Sequence, residues 1–158
     1  MKICFYTTGD IKSIATMKRA LGMTNPLSKL GWEVSIIAMK TEENVKRISL
    51  ESSLGKAYFF SPANPIKEII QKHLLLRNIK PDVVWVCSLG VRNLLFSLKS
   101  KNYIEHSELG SSIPDNKGFK RLQIHFFEFI SIYYSGLILA SKYLETHFGK
   151  KVKKFKKK

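Results

Sequence analysis

Short apolar runs rich in β-branched and aromatic residues, each followed by a stretch of helical period, dominate this sequence. Ile3-Cys4-Phe5-Tyr6, Val34-Ser35-Ile36-Ile37 and Val83-Val84-Trp85-Val86 are nearly unbroken in apolar residues. A strand with one solvated face alternates apolar with polar residues, so continuous runs mark strands buried on both faces. Strand and helix patterns in alternation imply a parallel sheet with helices packed against it. The 158 residues are enough for one such domain. The expected fold is therefore α/β: a doubly wound, mostly parallel, Rossmann-like sheet with helices on both faces, in a single domain.

The first strand is predicted over residues 2–7. A helix follows over 14–30, with Met17, Ala20, Leu21, Leu27 and Leu30 near one face and Pro26 expected to kink or interrupt it. Gly31 stands where a helix end takes a left-handed residue. Strands over 32–39 and 57–60 flank a weak helix at 41–50, which Thr41 or Asn44 can cap. Pro65 fits the first turn of a helix whose Ile66, Ile69, Ile70, His73 and Leu74 recur at helical spacing. After a break at Lys80-Pro81-Asp82, the pattern gives a strand over 83–86, a helix over 91–100 and a strand over 103–106. A loop at 108–116 leads into a long helix over 117–135 with Phe119, Leu122, Phe126, Phe129, Ile130 and Tyr133 in one stripe. A sixth strand at 136–140 and a helical stretch at 142–148 complete a body running to residue 149.

The net charge is +15, from 27 basic and 12 acidic residues. Seven of those cations are lysines within 150–158; subtracting them leaves +8 on residues 1–149. A block of like charges repels itself and stays solvated, so the tail is expected to be disordered. Its other reading is attraction to anionic lipid or polyanion. Cys4 and Cys87 lie in apolar runs without metal-ligand spacing and read as reduced core residues, and no metal is expected. No secretory signal opens the chain. The apolar stretch 122–140 contains Gln123, His125, Glu128 and Gly136, which fit a buried helix and strand better than a membrane span.

In an open parallel sheet, ligands bind beyond the carboxyl ends of the strands, where the winding reverses. Three segments are expected to meet there. Gly9 and Asp10 follow the first strand, where backbone N–H groups can receive a phosphate. The single glycine is no dinucleotide or P-loop motif, and a tight turn is the plainer reading. Ser88, Gly90 and Arg92 follow the fourth strand; Gly90 can face a ligand or let two elements approach, and Arg92 can pair with an anion. Glu105-His106-Ser107-Glu108 ends the fifth strand and is the densest polar cluster. His106 can bind a sugar hydroxyl or move a proton near neutral pH, although a lone His beside Glu also makes an ordinary structural pair. No elbow motif accompanies Ser107, which excludes the serine-hydrolase pattern.

Three segments, taken together, resemble the N-terminal domain of GT-B glycosyltransferases, family four in particular. The stretch Leu27-Ser28-Lys29-Leu30-Gly31-Trp32-Glu33-Val34, after the opening Lys2-Ile3-Cys4-Phe5-Tyr6-Thr7-Thr8, is similar to that family's L-x-x-x-G-H-E-V element. Lys80-Pro81-Asp82-Val83-Val84 is similar to its K-P-D-V-V segment, and Gly136 to Leu144 to the strand that closes its first domain. The resemblance implies a retaining transferase, acting in cell-surface polysaccharide or glycolipid synthesis. This half binds a glycan or lipid-linked acceptor. A nucleotide-sugar is the co-substrate, with no cofactor. The resemblance places Gly9 and its neighbours near the donor diphosphate and His106 against the donor sugar. It also implies a cytoplasmic protein, peripheral at the inner face of a membrane.

Two departures accompany it. The first loop holds only Gly9 where the family often has two adjacent glycines, and no donor domain with an E-x7-E motif is present in these residues. The isolated chain is therefore expected to transfer little or no sugar. The alternative reading is a non-catalytic Rossmann-like binding module with a basic surface for a membrane or polyanion. Nucleic acid binding has only the net charge behind it and no reading motif.

Overall fold

The computed structural model describes residues 1–13, 15–88, 90–94, 100–106, 118, 122, 126, 129–130, 133–139 and 142, with the side chain of His106 excepted. Among the described residues six strands are present: β1 (Lys2–Tyr6), β2 (Glu33–Met39), β3 (Lys56–Phe60), β4 (Val83–Val86), β5 (Lys101–His106) and β6 (Gly136–Leu139). Three helices alternate with the first four: α1 (Ala15–Lys29), α2 (Glu42–Ser49) and α3 (Pro65–Ile79). The strand order is β3-β2-β1-β4-β5-β6, and every neighbouring pair is parallel. This is the Rossmann-like order, with its reversal of winding between β1 and β4.

The alternation of side chains along each strand divides the core into two layers. Ile3 and Phe5 of β1, Val34, Ile36 and Ala38 of β2 and Val83 of β4 meet Met17, Ala20, Leu21 and Leu27 of α1 and Ile48 of α2. Cys4 and Tyr6, Ile37, Val84 and Val86, and Ile104 face the other way, onto Leu76 of α3 and Tyr134. The unbroken apolar runs follow from this arrangement, because both faces of the central strands are covered. Cys4 and Cys87 are buried free thiols. Burial pushes the Cys4 thiol up to about 12 and the Cys87 thiol well above its usual value. No helix among the described residues is long and apolar enough to cross a membrane.

Helix ends follow local chemistry. Gly31 takes φ +78° and closes α1, with Gly31 N–H donating to Ser28 O at 2.9 Å and Trp32 N–H to Leu27 O at 3.1 Å. Thr41 caps α2 by accepting from Asn44 N–H, and Asn64 caps α3 by accepting from Lys67 N–H, with Pro65 in the first turn.

Four expectations are corrected. Pro26 lies within α1 and does not end it. Pro26 and Gly22 are both exposed, so the Gly22 carbonyl left without a donor faces water. Leu30 lies beyond the helix and is exposed. Of the helix expected over 91–100, Val91–Asn93 form a 3-10 turn and Leu94 is extended, while 95–99 lie outside the described residues. Lys72 Nζ donates to Arg92 O, so a contact outside the turn takes up a carbonyl that a continued helix would use.

The fourth correction concerns apolar stripes. Ile66, Ile70 and Leu74 of α3 face solvent, as do Leu122, Phe126, Phe129 and Tyr133. The buried row of α3 is Glu68, Lys72 and Leu76. The expected loop at 108–116, most of 142–148 and the tail at 150–158 lie outside the described residues.

Phe5 is fully buried, with its ring 5.5 Å from that of Trp85. Phe5→Ala should open a cavity beneath α1 and cost about 3–5 kcal/mol. Urea unfolding should show this as a lower midpoint with an unchanged slope.

Candidate functional site

The carboxyl ends of β1 and β4 flank the point where the winding reverses, and the loops leaving them are anchored on two sides. On the β2 side, Asn44 is fully buried. Its Oδ1 accepts from Ile11 N–H at 2.9 Å, and its Nδ2 donates to Gly9 O at 3.1 Å and Met39 O at 2.8 Å. Gly9 turns the chain at φ +75°, a conformation that glycine takes without strain. Asp10 accepts from Lys12 N–H at 2.8 Å and from the Thr41 hydroxyl. Those hydrogen bonds, Thr41's foremost, hold its carboxyl below the usual range. The sequence reading offered Asp10 to a ligand; both its oxygens are engaged in bracing this loop against the start of α2.

On the other side, α3 delivers two buried charges. Glu68 is 1% and Lys72 0% exposed. Lys72 Nζ approaches Glu68 Oε1 at 3.2 Å and donates toward Thr7 O at 3.3 Å, Arg92 O at 2.5 Å and Asn93 Oδ1 at 2.9 Å. It also lies over the Tyr6 ring, 4.4 Å from its centroid. Glu68 accepts from the Thr8 hydroxyl at 2.6 Å and pairs through its other oxygen with Arg92. Burial pushes the Lys72 ammonium down to about 8, against the opposing pull of Glu68. Burial acts to raise the Glu68 carboxyl, but the Thr8 hydroxyl, Lys72 and Arg92 together bring it below its usual value. Five contacts between α3 and the two loops thus bind the β1 loop, the β4 loop and α3 into one rigid wall.

The wall changes the reading of the β4 loop. Arg92 does not stand free for an anion: its Nη1 pairs with Glu68 and donates to Ala63 O at 3.0 Å. Ser88 is held by Asn93, whose Nδ2 reaches Ser88 Oγ at 2.6 Å. Gly90 has φ 172°, and a Cβ built there meets nothing within 4 Å, so neither strain nor close approach requires glycine. Across the reversal point, Glu105 at the end of β5 pairs with Arg19 Nε of α1 at 2.6 Å, and Arg19 Nη2 donates to Cys87 O at 3.4 Å.

The structure therefore brings Thr8, next to Gly9, and Arg92 onto one carboxylate, and sets Glu105 beside the β4 exit. The backbone of His106 pairs with Leu139 in the β5–β6 register. Its side chain, Ser107 and Glu108 lie outside the described residues. Among the described residues, no group of His, Cys, Asp and Glu is gathered as a metal site. Sequence reasoning missed Glu68, Lys72, Asn93 and Arg19. The one available signal was Glu68 and Lys72 at i and i+4, a spacing that ordinarily marks a solvated helix pair.

Comparison with known proteins adds no relative: no family model matches the chain, and no curated protein matches its sequence.

Titration of the buried pair is testable. The native state releases the Lys72 proton near 8, whereas the ordinary lysine value is 10.5. Between those values the unfolded chain binds the extra proton, so this group adds to native stability as pH rises. Lys72→Met lacks the contribution, so the stability difference between wild type and variant should grow in favour of wild type from pH 8 to pH 9. Glu68 has the opposite window: its contribution is present above about 4.5 and is lost as pH falls through its lower native value. Glu68→Gln leaves Lys72 without its counter-charge and should cost about 3–5 kcal/mol near pH 7 by urea denaturation.

Proposed function

We propose that this chain is the acceptor-side half of a GT-B glycosyltransferase, acting with a nucleotide-sugar donor and a glycan or lipid-linked acceptor, with retention at the transferred sugar. The observation that carries the reading is the strand order, with its reversal flanked by the glycine-bearing β1 loop and the β4 and β5 ends. That placement puts Gly9 and His106 at one edge of the sheet. Supporting it, the segments behind the resemblance occur at structural joints. Gly31 closes α1, and Asp82 joins β4 to β1, its Oδ2 accepting from Lys2 N–H at 2.7 Å.

In this reading the rigid wall of Glu68, Lys72 and Arg92 fixes the shape of the crevice and does not touch the reacting sugar. His106 would contact the donor sugar, and the backbone around Gly9 would face the diphosphate. A second reading, a non-catalytic binding module with a basic docking surface, is favoured by one observation. Arg92 and Glu105, both candidate ligand contacts, are already neutralised by Glu68 and Arg19.

Reading the coding DNA beyond Lys158 and assaying the whole encoded protein separates the two. The transferase reading expects a second Rossmann-like domain with E-x7-E, and sugar transfer that drops at least about 100-fold in His106→Ala. A frame without that domain, in a protein that binds polyanions and turns over no nucleotide-sugar, would replace it with the second reading.

A further inference from the structure

Helix α3 buries two of its charges and exposes three of its hydrophobes. Glu68, Lys72 and Leu76 face the sheet, while Ile66, Ile70 and Leu74 on the outer side are 72%, 54% and 54% exposed. Spacing of four residues stacks these three on one face, about 12 Å from first to last. Single exposed hydrophobes are ordinary on a protein surface, whereas a stripe of them signals contact with something apolar.

The charges around the stripe specify the partner. Lys67 and Arg77 are exposed beside it, and the cap residue Lys80 is exposed at its end. The helix has one carboxylate, Glu68, which is buried and neutralised by Lys72 and Arg92. The outer face of α3 therefore offers hydrophobes and cations with no exposed acid. At a net charge of +15 a second copy of the chain meets like charge, which disfavours self-association. An anionic bilayer supplies both an apolar boundary and negative headgroups, the combination that cationic amphipathic helices bind.

We propose that the outer face of α3 rests on an anionic lipid surface, with Ile66, Ile70 and Leu74 at the acyl boundary and Lys67 and Arg77 among the headgroup phosphates. Helix α3 begins just after the carboxyl end of β3, so this contact sets the open edge of the sheet beside the membrane. That position suits the lipid-linked acceptor of the transferase reading, yet the contact itself does not depend on sugar transfer.

The test is flotation of the full chain with vesicles of phosphatidylcholine containing phosphatidylglycerol, compared with phosphatidylcholine alone. The lysines at 150–158 would attract anionic vesicles by charge alone, so two variants of equal charge change are compared. Ile70→Glu with Leu74→Glu alters the α3 stripe. Val45→Glu with Leu50→Glu alters exposed positions at α2, on the opposite face of the sheet. Binding to the anionic vesicles should fall at least about tenfold in the α3 pair and far less in the α2 pair. Wild-type binding should also keep a component that persists in about 0.5 M salt, where charge attraction is screened.

Equal losses in the two pairs, or binding abolished by salt, would assign all attachment to charge and overturn the proposal. So would an assembly, seen by sedimentation without lipid, that the α3 pair dissolves, since the stripe would then be a protein interface. Should the α3 pair fail to fold, Ile70→Trp reads the same contact: its emission should shift to the blue with anionic vesicles, and an unshifted spectrum counts against the proposal. None of these readouts involves a nucleotide-sugar, so they succeed or fail separately from the transferase assay.

Discussion

An ammonium removed from water must be surrounded by acceptors, and Lys72 draws them from three separate parts of the chain. Thr7 O ends the first strand, Arg92 O and Asn93 Oδ1 belong to the loop after the fourth, and Glu68 lies one turn back on the same helix. Losing any one of them leaves a buried charge underpaired, a cost of the order of an entire hydrogen bond or more. The position of α3, the shape of the β1 loop and the short turn after β4 are therefore coupled. The 3-10 turn at Val91–Asn93 is one consequence, because its carbonyls and its asparagine serve Lys72 and Ser88 and do not continue a helix.

The same coupling decides which charges remain for a ligand. At the carboxyl edge of the sheet, Glu68 takes up Arg92, Glu105 takes up Arg19, and the Asp10 oxygens are held by Thr41 and Lys12. Among the described residues, what remains at that edge is largely backbone: the left-handed turn at Gly9 and the strand ends themselves. Exposed cations among the described residues lie elsewhere, Lys67 and Arg77 on the outer side of α3 among them.

Much of the fold was legible because it rests on local chemistry. All six strands were expected near their observed positions. Gly31 was expected to close α1 in a left-handed conformation, and Pro65 to sit in the first turn of α3. The misjudged helix faces share one cause. Helical spacing shows which residues lie on a common face, but not which face turns inward. For α3 the richer apolar stripe, Ile66, Ile70 and Leu74, points outward, and the row containing two charges points in. Pro26 was expected to kink or interrupt α1, but the helix runs through it, with the hydrogen bond it removes at an exposed position.

The sequence by itself determined the class of sheet, the reach of its strands and the capping of its helices, since each depends on residues within a few positions of one another. Tertiary structure alone decided the strand order, the burial of Glu68 and Lys72, and the engagement of Asp10, Arg92 and Glu105. The contacts of Glu68 with Arg92, Asp10 with Thr41 and Glu105 with Arg19 join residues 24 to 86 positions apart, and no periodicity in a linear sequence records them. A charge that looks solvated in sequence becomes the centre of a wall once two distant loops and a neighbouring carboxylate supply the acceptors that let it leave water.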